Sequence, residues 1–314
     1  MAHVLAKDPS GFDVGVLRGS ARRKRKEALI RALFFLAALT SVAISTAIVL
    51  SLIGRAFNFA TGVDLSTLWT SGWFPRRGLY DLRTILVGTL IVAGVAMLVA
   101  TPLGLGAAIY LSEYAKPRLR RWLKPILEIL AGIPSVVLGF FAIRFINPEL
   151  IQRIWGDAAF FNMAAAGVAV GVLVTPLVAS VSEDAMRSVP MSLREAAYGM
   201  GARKRTVTLT VVLPAAVSGI VASLILGVSR AIGETMVVAI AAGATGGGAL
   251  TFNPLEGGQT MTAAMTALAI GSDQVRGQAL TFESLFFVGL LLFLMTLFLN
   301  VFSERFVRKV RQKY

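Results

Sequence analysis

Apolar residues in this chain fall in long unbroken blocks instead of the alternating patterns of a water-soluble core. Six blocks stand out, at roughly Leu33–Ile53, Ile85–Leu111, Ile126–Phe145, Phe160–Ser182, Pro214–Ala242 and Ser284–Phe302. Each reaches the ~20 residues that a helix needs to cross the hydrocarbon of a bilayer. Backbone groups in lipid must bond within their own segment, and an α-helix does this. The pattern therefore predicts an all-α polytopic membrane protein with six transmembrane helices. In the third block Glu128 and Arg144 sit near the ends, where both can snorkel to the interfaces. Pro102 and Pro134 fall inside apolar blocks, where they kink helices and free carbonyls. Gly257–Ser272 is apolar but short for a span, and reads as an outer-face or re-entrant helix.

The polar stretches between the blocks fix an orientation. Of the 31 Lys and Arg residues, eight precede the first block, and five lie in each of the second loop, the fourth loop and the C-terminal tail. Only six fall in the alternate loops, and Arg144 and Arg230 lie within blocks. Positive charge collects on the cytoplasmic side, so both termini are predicted to be cytoplasmic. This divides the chain into a basic arm (1–31), a first helix with its outer loop (32–83), a transmembrane core (84–304) and a basic tail (305–314). The net charge of +14 and the run Arg22–Lys26 would suit nucleic acid in isolation. Every basic cluster abuts a span, however, where cations meet anionic lipid headgroups, so membrane lipid is the expected partner. The block from Leu33 is too long for a signal-peptide core and is expected to remain as an uncleaved span. With 56% hydrophobic residues and a mean hydropathy of +0.73, the composition agrees.

Little in the sequence carries chemistry of its own. There is no cysteine, and the single histidine is His3, so His dyads and Cys or His metal clusters are absent. No phosphate-cradling G-x-x-x-x-G-K-[ST] loop is present, and the glycine run Gly243–Gly248 lacks the lysine. No catalytic residue, metal site or bound cofactor is expected, and any ATP hydrolysis belongs to a separate subunit.

The fourth loop reads Glu195 to Pro214, EAAYGMGARKRTVTLTVVLP. Ser192 and Glu195 have capping-box spacing, so a short helix should begin at about Ser192. Ala196 and Ala197 keep its surface low, so that a groove on another protein can approach the backbone. Gly199 and Gly201 permit a sharp turn, and Arg203-Lys204-Arg205 would anchor that turn at a lipid surface. Glu195-Ala196-Ala197, then Gly201, then Val211-Val212-Leu213-Pro214, resembles the cytoplasmic "EAA" loop of ATP-binding-cassette importer permeases, with Val211 where that family usually has Ile.

The fifth block holds Arg230-Ala231-Ile232-Gly233-Glu234-Thr235 near its centre. A central Arg costs about 2.5–3.5 kcal/mol on insertion scales, so such charges face a bundle interior or a watery cavity. Arg230 and Glu234 are four residues apart, hence on one helical face and able to pair. The guanidinium fork suits two oxygens of a tetrahedral anion, with Glu234 orienting or competing for it and Thr235 beside them. The plainer reading is an ion pair that only fixes the helix.

RAIGETMVVAIAAGA resembles the fifth core region of phosphate-importer permeases of the PstC type. Gly106–Glu113 and Ala131–Val137 add to the likeness, which covers residues 84–304. Sulfate and molybdate permeases also carry an Arg before Gly-Glu, and Thr235-Met236 with Ile133-Pro134-Ser135 tilt the likeness toward phosphate. The resemblance implies a type I importer permease fold, with one helix ahead of a five-helix core and an EAA coupling helix between spans four and five. It implies half of a translocation pore in a bacterial cytoplasmic membrane. The expected partners are a second homologous permease, two ATP-binding ATPase subunits and an extracytoplasmic phosphate-binding protein. Arg230, Glu234 and Thr235 would line the substrate pathway, and Ser192, Glu195, Ala196, Ala197 and Gly201 would dock the ATPase. A permease for another oxyanion, an ion-coupled anion carrier, or a non-transporting scaffold or phosphate sensor are the alternatives.

Overall fold

In the computed structural model the described residues are 21–69, 72–243, 248–270 and 279–310. The basic arm ahead of residue 21, the Gly-rich residues 244–247 and the last four residues lie outside them. The chain divides into two units, residues 1–51 and 52–314. The described part of the first unit belongs to helix Ala21–Gly62 and shows apolar side chains all round. Its hydroxyls turn back onto the helix, with Thr40 Oγ1 donating to the Leu36 carbonyl at 2.8 Å and Thr46 Oγ1 to Val42 at 2.8 Å. Internal satisfaction of that kind is what a lipid surround demands.

Among the described residues six helical runs are long and apolar enough to cross a membrane: Arg25–Gly62, Leu82–Tyr114, Ser135–Ile154, Met163–Arg187, Lys204–Ile232 and Leu280–Arg305. They are called here the first to sixth spans. The third differs from the sequence expectation of Ile126–Phe145. Pro117–Ala131 is a separate amphipathic helix with no buried residue, and the chain breaks at Gly132-Ile133-Pro134 before restarting at Ser135. Pro134 cannot donate to the preceding turn, so it ends one helix and opens the next. Arg144 consequently sits near the middle of its span instead of near an end. The fifth span also moves, starting at Lys204 and stopping at Ile232.

The second and fourth spans form the centre of the second unit, in contact through small residues. Gly104 meets Val178, Gly167 meets Val95, and Gly171 lies so near that an added Cβ would stand 2.7 Å from the Ala96 carbonyl oxygen. Ala96, Ala100, Ala166, Ala169, Val170, Val174 and Val178 are fully buried around these crossings. The fifth span joins through Gly227, which faces Val174 and Val178, and through buried Ser182 and Ser223, whose hydroxyl oxygens are 2.6 Å apart.

At the opposite end from the basic loops, Asn162 caps the fourth span by accepting from Ala165 N–H at 2.7 Å, and its amide donates to Asn147 Oδ1 at 2.7 Å. A two-strand hairpin pairs Trp73 with Tyr80, and Trp73 also exchanges backbone bonds with Gly248 at 2.9 and 3.0 Å. Trp73 and Tyr80 are buried there. Met261–Ala269 is a short, largely buried helix, in keeping with an outer-face or re-entrant element.

Candidate functional site

The helical part of the fifth span ends where the sequence places its charges. Leu213–Ile232 stops at Ile232 and Gly233 caps it, its N–H bonding the Ala231 and Ser229 carbonyls. Arg230 belongs to the last turn, where a cation also meets the negative end of the helix dipole. Glu234 lies beyond the break. No ion pair joins the two, so the expected pairing on one helical face is not realised, because the helix does not continue from one to the other. Instead Glu234 is buried; its Oε1 accepts from the Val237 N–H at 3.4 Å and its carbonyl accepts from Thr262 Oγ1 at 2.7 Å. Thr235 Oγ1 bonds back to the Gly233 carbonyl at 3.3 Å.

Arg230 is exposed and lines a cavity of about 310 Å³. Leu173, Pro176, Leu177 and Ser180 of the fourth span form one wall, and Lys124 and Glu128 of the amphipathic helix another. Arg230 makes no salt bridge within the described chain. Its fork is therefore presented to the cavity with its donors open, which is what recognition of a tetrahedral oxyanion requires. Glu183, fully buried near the C-terminal end of the fourth span, also lines the cavity.

The fourth loop folds as expected in outline. Met191–Gly199 is a helix with no buried residue, and Ser192, Glu195 and Ala196 are exposed on it, with Ala197 partly so. The capping box is not formed: Pro190 occupies the cap with no side-chain bond, which places Ser192 inside the first turn. Gly201 has φ +80° and carries the exit turn, donating to the Tyr198 carbonyl at 2.9 Å. This left-handed conformation favours glycine.

Two contacts that sequence reasoning missed tie this loop and the amphipathic helix to the bundle. Arg194 Nη1 lies 2.7 Å from both carboxylate oxygens of Glu113, and its Nη2 donates to the Met186 carbonyl at 2.7 Å. Both side chains are largely buried, and Ser112 Oγ adds a bond to the same carboxylate at 2.7 Å. Arg120 meets Glu183 Oε1 at 2.5 Å, while Lys124 lies 3.2 Å from Glu183 Oε2 and 2.9 Å from Asp184 Oδ1. The hydrogen bond to Asp184 leads the causes that raise the Lys124 pKa above its ordinary value. Arg120 and Lys124 are four apart on one helix face, and Glu183 is an acid at the end of an apolar run. That pattern was the available signal.

Residues 100–312 match the family described as binding-protein-dependent transport system inner membrane component. The chain is 30% identical over 288 residues to the phosphate transport system permease protein PstC of Pasteurella multocida, covering 85% of this chain and 87% of that protein. It is 30% identical to the protein of the same name from Haemophilus influenzae, covering 91% and 94%. The fold aligns at TM-score 0.63 and 17% identity with a chain of a bacterial alginate ABC transporter solved in complex with an alginate pentasaccharide-bound periplasmic protein, over 91% of this chain and 98% of that one. A chain of the inward-facing MetNI methionine ABC transporter aligns at TM-score 0.51 and 20% identity, over 73% and 94%. With six apolar spans and a family match over most of its length, this multi-pass membrane protein belongs to the inner membrane components of binding-protein-dependent transport systems.

Proposed function

We propose that the chain is the transmembrane permease subunit of an ATP-driven, binding-protein-dependent inorganic phosphate importer and forms half of its translocation pathway. The observation that carries the reading is Arg230, presented without a carboxylate partner to a cavity between helices, in a chain whose relatives are phosphate transport permeases. ATP would be bound by two ATPase subunits docked at the Met191–Gly199 helix on the cytoplasmic side, where both termini also lie. A second permease would complete the pore, and an extracytoplasmic phosphate-binding protein would deliver substrate. Phosphate would reach Arg230, with buried Glu234 and Thr235 shaping the broken helix end beside it. Closure of the ATPases would move the docking helix and, through Arg194, the spans it is tied to.

Labelled phosphate uptake by cells lacking the gene tests this, using the original protein or Arg230→Gln at matched membrane levels, with excess sulfate as competitor. The original protein should restore ATP-dependent uptake that sulfate leaves unchanged, and Arg230→Gln should lower it at least tenfold. Abolition by sulfate would transfer the reading to a permease for another oxyanion. Uptake that is independent of the ATPase would favour an ion-coupled carrier.

A further inference from the structure

The cavity that Arg230 lines holds a second cation, Lys124. The rest of its lining is apolar except for the Ser180 hydroxyl and the carboxylates of Glu128 and Glu183. Apart from Lys124, an oxyanion leaving the guanidinium would meet only apolar groups, one hydroxyl and two acids there, and a bare anion in such surroundings is strongly disfavoured. Lys124 lines the same cavity from the amphipathic helix Pro117–Ala131.

The contacts around Lys124 are uneven. Arg120 holds Glu183 Oε1 at 2.5 Å and supplies the close partner that this fully buried carboxylate needs. Lys124 is the looser partner, 3.2 Å from Glu183 Oε2, and shares its ammonium with Asp184, whose side chain is 63% exposed. An ammonium is a compact charge on a flexible stem, with three donors that can be redirected. Replacing its longer contact to Glu183 with an oxyanion would take the one cation from buried Oε2 but leave the carboxylate paired through Oε1 to Arg120, with Asp184 in water. Such an exchange avoids the large cost of stripping a buried carboxylate of every partner.

We propose that Lys124 is a second oxyanion station at the inner end of the cavity, accepting from Arg230 a small free oxyanion that takes the place of Glu183 at the ammonium. The occupant is inorganic phosphate, and the assignment rests on the phosphate-import reading above. When no anion is present, Glu183 neutralises the site and Lys124 closes the cavity floor against the fourth span. The station makes the inner half of the pathway a hand-over between two cations and not a single binding event.

The test uses the whole importer, with its ATPases and binding protein, in phosphatidylcholine proteoliposomes, and follows labelled inorganic phosphate. Lys124→Gln should lower the maximal uptake rate at least fivefold while leaving the concentration of loaded binding protein at half-maximal rate within twofold, since delivery occurs on the other side of Arg230. Lys124→Arg should retain more than half of the rate. The paired exchange Lys124→Glu with Asp184→Lys keeps an ion pair between the same two elements but removes the cation from the cavity, and it should stay as slow as Lys124→Gln. Recovery in that exchange, or an unchanged rate in Lys124→Gln, overturns the station and leaves phosphate import standing. If the original protein moves sulfate and not phosphate, the phosphate assignment fails alone, and the same Lys124 comparison is read with sulfate. Transport of no oxyanion removes both. Restoration of the Lys124→Gln rate by anionic lipid would identify a lipid headgroup as the occupant and overturn the assignment to a free anion.

Discussion

Arg194 gathers three polar contacts at one point. One guanidinium binds both oxygens of Glu113 and the Met186 carbonyl, joining the second span, the fourth span and the loop helix at one point. Removing one member of a buried pair leaves an uncompensated charge and costs about 3–5 kcal/mol, whereas replacing both with apolar groups is often neutral. Arg194→Met should therefore lower the melting temperature of the purified importer clearly, and Glu113→Leu with Arg194→Met should recover most of the loss. An equal loss in the double variant would show that the pair is not what the site depends on. Lys124 makes a different statement at this scale. Its pKa is raised, so its contact to Asp184 is fully present below the unfolded lysine value of about 10.4 and is lost only as pH rises through the higher folded one. Station occupancy should then be insensitive to lysine titration between pH 6 and 9, and an uptake profile that falls within that range in the original protein but not in Lys124→Arg would contradict it.

Among elements, the loop helix shows how one backbone angle can matter more than a surface residue. Gly201 has φ +80° and Gly199 does not lie in that region, and both have open space where a Cβ would go. Placing alanine in the left-handed region costs roughly 1–2 kcal/mol, so Gly201→Ala should strain the exit turn and reduce ATP-driven uptake severalfold. Gly199→Ala, with no such strain, should leave uptake near its original level, and equal effects at the two positions would sink the argument. Hydropathy found six spans because long apolar runs have few other outcomes, but it displaced the third and the fifth along the chain. The third was misplaced because Ile126 to Ala131 supplies apolar residues to an interfacial helix, and nothing in that count distinguishes the apolar face of a surface helix from the start of a span. Pro134 was visible, but read as a kink when it is a boundary. The Arg230 and Glu234 spacing was likewise legible as chemistry and misleading as geometry, since an i,i+4 argument presumes an unbroken helix and Gly233 ends it. Contacts such as Glu113 with Arg194, 81 residues apart in sequence, depend on how the spans cross and leave no local period to read.

For the whole molecule, the relocated third span puts Arg144 about 14 Å from either end at 1.5 Å per residue, and it is exposed. An arginine at that depth faces water or a neighbouring subunit. The absence of cysteine from the chain gives a clean background for testing this. In the assembled importer, Arg144→Cys should react with a membrane-impermeant thiol reagent, and Ala100→Cys, at a fully buried position, should not. Failure of residue 144 to react would place it against lipid or a dry contact and remove it from any aqueous pathway.

The clamp at Arg194 also has a mechanical meaning. Because it fastens the loop helix to the C-terminal ends of two spans at once, a push on that helix cannot be absorbed by slack in the connecting chain. The second span has 33 residues, which makes it a rod of about 50 Å, and it rests on the fourth where glycines seat against Ala96 and Val178. A rod held near its middle behaves as a lever. A thrust of a few ångströms at the clamped end would tip the far end the opposite way by a comparable amount.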